Sequence, residues 1–501
     1  MTQHASNPAD LSAVEARDLI AEKKLSSQEL TQACIARVNE LDHAVNALVA
    51  RDFDRALTEA KAADEKQARG EALGPLHGLP FGVKDMVDVA GLPTTFGSEI
   101  FRDNIATKDD AMVEAMRSAG ALVLGKTNCP EWSAGGNTRN RVYGVTPNPY
   151  DLTRNCGGSS GGSAVALACG YTPLATGSDT GGSLRTPASF CGVVGYRPSP
   201  GVVPGTKRAM GMMPLPTNGP MGRTVADCGL MLSVIATPDT RDQYTHVMGG
   251  NTLWDTKKFA NIQSIDLKGL RFAITDDYGF APVENVVKRC FRKAISTLTP
   301  FLSQVEEATP DCSHADRIFS VLRAVMFLSS HPKLLDEYPE LMGPNITDNV
   351  LEGRTYSAED VSQALTMQTA YYCRWQDFFN DHDYILAPTT TIQTRNWHEF
   401  YPTEIDGKPT KTYYHWLAMA YASTLAGHPS ITIPCGRDEN GMPFGLQIVG
   451  KRHDDAGVLA VASQLEAIMA GISSLAPQRP DFAMLKGASP ISDVEGFLSF
   501  D

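Results

Sequence analysis

Gly157-Gly-Ser159-Ser160-Gly-Gly-Ser163-Ala-Val-Ala-Leu-Ala-Cys169-Gly-Tyr-Thr-Pro-Leu-Ala-Thr-Gly177-Ser-Asp179-Thr180-Gly181-Gly182-Ser183-Leu-Arg185-Thr-Pro187 places two glycine–serine turns around an apolar stretch, with Ser183 lying 24 residues beyond Ser159. Glycine–serine runs usually mark linkers. Here Ala164 to Cys169 reads as an apolar helix and Thr172-Pro-Leu-Ala-Thr176 as a buried strand, which no linker needs. Residues 157 to 195 hold 10 of the chain's 43 glycines. Glycine at such density lets a backbone turn successive N–H groups toward one point.

Outward from that stretch, short apolar runs alternate with segments long enough for helices. Leu79-Pro-Phe-Gly-Val83, Ala121-Leu-Val-Leu-Gly125, Leu270-Arg-Phe-Ala-Ile-Thr275, Asp383-Tyr-Ile-Leu-Ala-Pro388, Ser430-Ile-Thr-Ile-Pro-Cys435 and Phe444-Gly-Leu-Gln-Ile-Val-Gly450 read as further buried strands. Alternation of this kind predicts an α/β fold: a mixed, mostly parallel central sheet covered by helices on both faces. The first 70 residues read as helices, with a capping box of Ser26 and Glu29 before Leu30, Cys34, Ile35, Val38 and Leu41. No repeat or linker marks a boundary. One domain is therefore expected over 1–501, with an N-terminal helical segment at 1–75 and a more helical, substrate-side segment at about 280–410.

Of 501 residues, 42% are apolar and 20% charged, enough to bury a large core, and 44 basic against 57 acidic side chains give a net charge of −13. An acidic chain without a basic stripe argues against nucleic-acid binding. No apolar run approaches the ~20 residues of a membrane span, and Met1 to Ser12 has no signal-peptide pattern. Ten cysteines without a C-x-x-C pair fit reduced thiols in a cytoplasmic protein. No histidine or cysteine spacing asks for a metal, and no cofactor is expected.

Two motif matches mislead. Gly120-Ala-Leu-Val-Leu-Gly125-Lys126-Thr127 satisfies the P-loop pattern, but its middle residues form a strand themselves and a helix precedes them, so the order of elements is wrong. Gly157-Gly-Ser159-Ser160-Gly161 matches the nucleophile elbow of α/β-hydrolases, with His428 as a base. That turn must follow a strand, and Asp151 to Cys156 read as a turn. This esterase reading, with Ser159 and His428, is the less supported of two serine-hydrolase readings.

The other joins three segments: Gly78-Leu-Pro-Phe-Gly-Val-Lys84-Asp85, the turn at Ser159, and Gly177-Ser-Asp-Thr-Gly-Gly-Ser183-Leu-Arg-Thr-Pro187. On these the chain resembles the amidase signature family, from about Leu79 to Arg223 and again at Asp383 to Pro388, Ala426 to Gly436 and Gly441 to Gln447. The resemblance implies the family's fold and cleavage of a carboxylic amide, with Ser183 as nucleophile, Ser159 as bridging serine after a cis peptide bond, and Lys84 as base. It also implies a small amide and water as substrates.

The chemistry suits those residue types. A serine hydroxyl needs a base, and lysine serves only when neutral. Bringing its pKa from about 10.4 to about 7–8 requires roughly 4 kcal/mol, which burial away from carboxylates supplies. Asp85 must then point elsewhere. A hydroxyl both donates and accepts, so Ser159 can relay a proton. Thr180, Gly181, Gly182 and Ser183 are expected to form an oxyanion hole, and Ser160, Asp179 and Arg185 to support the turn.

Between Tyr371 and Tyr421 lie 13 aromatic residues, including three of the chain's five tryptophans. The resemblance puts this region near the substrate, so an apolar or aryl amide is expected, with ester, anilide and carbamate chemistry equally accessible. Trp397 and Trp416 stand as pocket candidates against an equal alternative, packing of the core or an interface. Trp132, Ala134 and Gly135 precede the serine turn as further candidates. The same family includes the glutamine-hydrolysing A subunit of glutamyl-tRNA amidotransferase. Its members usually carry serine-glycine-tyrosine-tyrosine where this chain has Gln368-Thr-Ala-Tyr-Tyr-Cys373, which lowers that reading. Oligomeric state stays open, with a homodimer as the common arrangement.

Overall fold

The computed structural model describes residues 7–500, so residues 1–6 and 501 of the expected domain lie outside it. An eleven-stranded sheet organises the chain. Its strands are β1 (Leu48–Arg51), β2 (Pro80–Lys84), β3 (Leu122–Thr127), β4 (Leu174–Asp179), β5 (Val194–Arg197), β6 (Thr217–Gly222), β7 (Arg271–Ile274), β8 (Gln304–Glu307), β9 (Tyr384–Pro388), β10 (Ser430–Arg437) and β11 (Pro443–Gly450). Their spatial order is β1-β3-β2-β4-β6-β5-β10-β11-β9-β7-β8.

All seven expected strands form. Four pairings are parallel and six antiparallel. The sheet is thus mixed, with a smaller parallel share than expected. The reason is local: the short turn joining β10 to β11 makes an antiparallel hairpin, and that hairpin lies between β5 and β9, whose pairings with it are antiparallel too.

Helices pack around the sheet. Ser26 and Glu29 form the expected capping box for Ser27–Val45, but β1 interrupts the helical segment by pairing with β3. The 280–410 segment contributes Asn285–Leu298, Ala315–Ser330, Pro332–Glu337, Pro344–Thr355 and Ala358–Asp381, broken by β8 and β9. Among the described residues no helix is long and apolar enough to cross a membrane.

The P-loop lookalike is strand β3, and the Lys126 ammonium is buried, donating to the Pro93 carbonyl at 2.9 Å and lying 3.3 Å from Asp85. Asp151–Asn155, expected as a turn, forms a strand with Pro147–Asn148.

Candidate active site

β2 and β4 run parallel as neighbours, with Phe81 opposite Leu174 and Gly82 opposite Ala175. Their carboxyl ends therefore share one edge of the sheet, where open α/β folds gather ligands. β2 ends in Lys84, and β4 runs through Ser178 and Asp179 into the second serine turn. The first turn feeds the fully buried helix Gly161–Ala168. Ser163 fixes that helix with hydrogen bonds to Thr127 Oγ1 at 2.7 Å and the Thr176 carbonyl at 2.8 Å.

Lys84 is completely buried, and its Nζ donates to Ser159 Oγ at 2.7 Å and to Ser178 Oγ at 3.0 Å. Burial pushes its ammonium down to about 8, against an upward pull from Cys129 and Asp179. Asp85 turns away and accepts from Thr95 and Lys126. The Gly158–Ser159 peptide bond is cis, as the resemblance implies. Ser160 N–H donates to the Ser183 carbonyl at 3.2 Å, tying the two turns together. Ser183 is the partly exposed member of the trio.

Asp179 and Arg185 brace the second turn. Asp179 accepts from Gly182 N–H at 3.0 Å, Leu184 N–H at 3.2 Å and Arg185 Nη2 at 2.9 Å. Arg197, also buried, donates to the Asp179 carbonyl at 2.5 Å. Against the desolvation that would raise it, Arg185 and Arg197 hold the Asp179 carboxyl well below the usual range. Arg185 continues to Ser423 Oγ at 2.9 Å, Thr424 Oγ1 at 3.0 Å and Gln447 Oε1 at 2.7 Å.

One consequence narrows the expected oxyanion hole. Gly182 N–H is committed to Asp179, leaving the N–H groups of Thr180, Gly181 and Ser183 as candidates. Gly182 has φ +105°, and a Cβ there would come within 2.5 Å of Ala420 Cβ. Its glycine answers to backbone geometry and packing rather than to room for a carbonyl.

The substrate-side residues divide. A Cβ on Gly158 would meet the Gly135 carbonyl at 3.0 Å, so Gly135 borders the first serine turn. Asn345 Nδ2 donates to the neighbouring Ala134 carbonyl at 2.6 Å. Trp132 stacks on Phe96 at 4.7 Å and meets His331 edge-on at 4.7 Å. Trp416 is buried, and its ring occupies the space a Gly136 Cβ would need. Trp397 packs with Val145, Ile491 and Phe497, and its Nε1 donates to the Leu152 carbonyl at 3.1 Å, the packing alternative of the two expected. Apolar burial among those side chains claims it for the core. Tyr371, Trp375, Phe379, Tyr384, Tyr413, Tyr414 and Tyr421 are buried as well.

His428 does not meet Ser159. It is fully buried against Phe379, bonded to Gln376 Nε2 at 2.9 Å and the Gly450 carbonyl at 2.7 Å, and desolvation pushes it down to about 3.

Sequence reasoning missed Ser178, although it sits inside the quoted second turn, and missed Arg197 and Phe319, which carry no motif. Phe319, on the helix Ala315–Ser330, lies 3.1 Å from where a Gly181 Cβ would stand. A cleft of about 370 Å³ opens on Tyr413 and Tyr414, with Asp348, Glu352 and Tyr401 also lining it. Lys84, Ser159 and Ser183 do not line this cleft.

The family model described as Amidase matches residues 29–459. An acylamidase from Rhodococcus erythropolis is 36% identical over 468 residues, covering 91% of this chain and 95% of the relative. The A subunit of the glutamyl-tRNA(Gln) amidotransferase from Alkaliphilus metalliredigens (strain QYMF) is 32% identical, covering 94% and 98%. A solved bacterial aryl acylamidase of the amidase signature family superposes with TM-score 0.85 at 27% identity, covering 95% of this chain and 99% of that one.

Proposed function

The chain belongs to the amidase family, and from that premise we propose that it cleaves an aryl or apolar carboxylic amide through an acyl-enzyme on Ser183. The observation that carries this reading is the fully buried Lys84 ammonium held 2.7 Å from Ser159 Oγ. Neutral Lys84 takes the Ser159 proton as Ser159 takes that of Ser183. Ser183 Oγ attacks the amide carbon, and the carbonyl electron pair moves onto oxygen, facing N–H groups of Thr180, Gly181 and Ser183.

Collapse of the intermediate breaks the C–N bond, and the proton held on Lys84 returns through Ser159 to the leaving amine. Water then adds to the acyl ester by the same relay and releases the acid with free Ser183. Asp179, Arg185 and Ser160 position the turns without touching substrate. Trp132, Ala134, Gly135 and the ring of Phe319 supply an apolar wall, which supports an aryl or apolar acyl or amine group. Esters, anilides and carbamates fit the same steps. All ten cysteines are free thiols, which supports a reducing, cytoplasmic setting.

The amidotransferase reading is favoured by relatives such as the 32% identical one. Opposing it, Gln368 to Cys373 lies in the helix ahead of β9 without the usual stretch of that glutamine-hydrolysing subunit. A fluorophosphonate probe followed by peptide mass spectrometry tests the central claim. Labelling on Ser183, lost in Ser183→Ala together with anilide turnover, is the expected result. Labelling elsewhere, or full turnover by Ser183→Ala, rejects it, and glutamine as sole substrate would select the amidotransferase reading.

A further inference from the structure

Arg323 is 4% exposed, yet among the described residues no carboxylate lies within ion-pair distance of it. Its guanidinium sits among four rings, with Cζ 5.8 Å from Phe319, 5.0 Å from Phe327, 5.4 Å from Tyr413 and 5.3 Å from Tyr414. Nε and Nη2 both donate to Tyr413 Oη. Of the acids nearby, Glu352 is engaged by Tyr356 and Tyr414 and Asp316 by Lys411 and Tyr421, while Asp348 lines the cleft beside Tyr413 without forming an ion pair with Arg323. A buried cation without an anion is costly unless something arrives to pair with it.

Its place is adjacent to the serines. Phe319, one helical turn before Arg323, approaches the Gly181 position; the Arg323 Cα follows about 6 Å along the helix, and its Cζ lies 5.8 Å from the Phe319 ring. From Arg323, contacts run through Tyr413 Oη to Asn349 Nδ2 at 2.5 Å, from Asn349 Nδ2 to the Asn345 carbonyl at 2.5 Å, and from Asn345 to Ala134, beside Gly135 and the first serine turn. The ring of contacts thus begins at one serine turn and ends at the other. Buried Asn345 Oδ1 and Asn349 Oδ1 have no hydrogen-bond partner. Such acceptors suit a substrate N–H.

We propose that Arg323 is a specificity residue that receives a carboxylate carried by the amide substrate, at the end remote from the scissile bond. This rests on the serine-hydrolase reading above and adds a substrate class: an amide bearing an anionic group roughly one aromatic ring away from its reacting carbonyl. A guanidinium pairs with a planar carboxylate through charge-assisted hydrogen bonds.

The test compares kcat/KM for 4-acetamidobenzoate against acetanilide, and for terephthalic acid monoanilide against benzanilide, which put the carboxylate on the amine and acyl sides in turn. Wild type is expected to favour one carboxylate partner, and Arg323→Met to reduce that preference by about 10- to 100-fold, with Arg323→Lys recovering part of it. Calorimetric binding of the preferred carboxylate to Ser183→Ala protein, lost on adding Arg323→Met, supports the same assignment without turnover. No carboxylate preference, or an unchanged ratio and unchanged binding in Arg323→Met, overturns the proposal. Fluorophosphonate labelling of Ser183 in each protein separates this failure from failure of the serine reading.

Discussion

Lys84 Nζ donates to Ser159 Oγ at 2.7 Å from a completely buried position, and burial has lowered its ammonium to about 8. A base works only when deprotonated, so amide turnover is expected to rise with pH through a midpoint near 8 and then level off. A rate flat from pH 6 to pH 9.5 would contradict a lysine base.

The same shift has a stability sign. Between pH 8 and 10.5 the unfolded chain keeps a proton on Lys84 that the folded one sheds, so this group's contribution to stability improves as pH rises through that window. Below 8 the full burial cost, about 3 kcal/mol, is present. Lys84→Met removes it. The variant is expected to lose at least about 10³-fold in kcat while its Tm at neutral pH rises; a marked fall in Tm would show that the Ser159 and Ser178 hydrogen bonds outweigh the burial cost.

Asp179 faces two buried guanidiniums, those of Arg185 and Arg197. Asp179→Asn leaves both without an anion, and a loss of about 3–5 kcal/mol is expected in denaturant unfolding at pH 7. Because its folded carboxyl lies below the usual range, the stabilisation it gives is present above the unfolded pKa of about 3.9 and disappears only as pH falls through the lower folded value. Wild type should therefore keep this contribution at pH 5. A variant as stable as wild type would mean that Ser423, Thr424 and Gln447 suffice for Arg185 and the Leu215 and Pro214 carbonyls for Arg197.

Gly182 combines a positive φ with a close approach to Ala420. Gly182→Ala is expected to cost about 1–3 kcal/mol from backbone strain alone, plus the clash, and to lower kcat by displacing the Ser183 turn. Adding Ala420→Gly should relieve the contact with residue 420 and leave the backbone strain and the 2.9 Å approach to Thr186 Oγ1 in place. Equal stability of Gly182→Ala and wild type, read by thermal unfolding, would refute this account.

Trp397 and Trp416 are equivalent pocket candidates in sequence and are not equivalent in the fold. Trp397→Ala should cost about 3–5 kcal/mol as a core truncation and lower turnover of aliphatic and aryl amides in one proportion. Trp416→Ala vacates the space over Gly136, next to Gly158, so the ratio of aryl to aliphatic kcat/KM should move. A selectivity change in Trp397→Ala, or none in Trp416→Ala, would reverse the assignment.

The seven expected strands were legible because each is a short apolar run bounded by turn residues. β6, Thr217-Asn-Gly-Pro-Met-Gly222, was not: it has no β-branched residue after Thr217 and exists because β4 and β5 offer it antiparallel partners. β8, with three polar residues of four, is an edge strand whose pairing with β7 no periodicity announces. At the site, Lys84, Ser159 and Ser183 stood out by residue type and glycine context. Phe319 and Arg323 did not, since a helix face pointing at a serine turn looks in sequence like any amphipathic face. His428 shows the reverse error: its residue type suggested a base, but a ring stacked on Phe379 in the core remains neutral and inaccessible.

The order of the sheet has a consequence for biosynthesis. β10 and β11 come last among the strands yet lie in the middle, with six strands on one flank and three on the other. A ribosome that has delivered Lys84, Ser159 and Ser183 has made the reactive groups but not the seam that joins the flanks, nor Ser423, Thr424 and Gln447, which anchor Arg185. With Ser183 as the proposed nucleophile, the nascent chain would carry it unarmed through most of translation, and hydrolytic competence would await the docking of the closing hairpin.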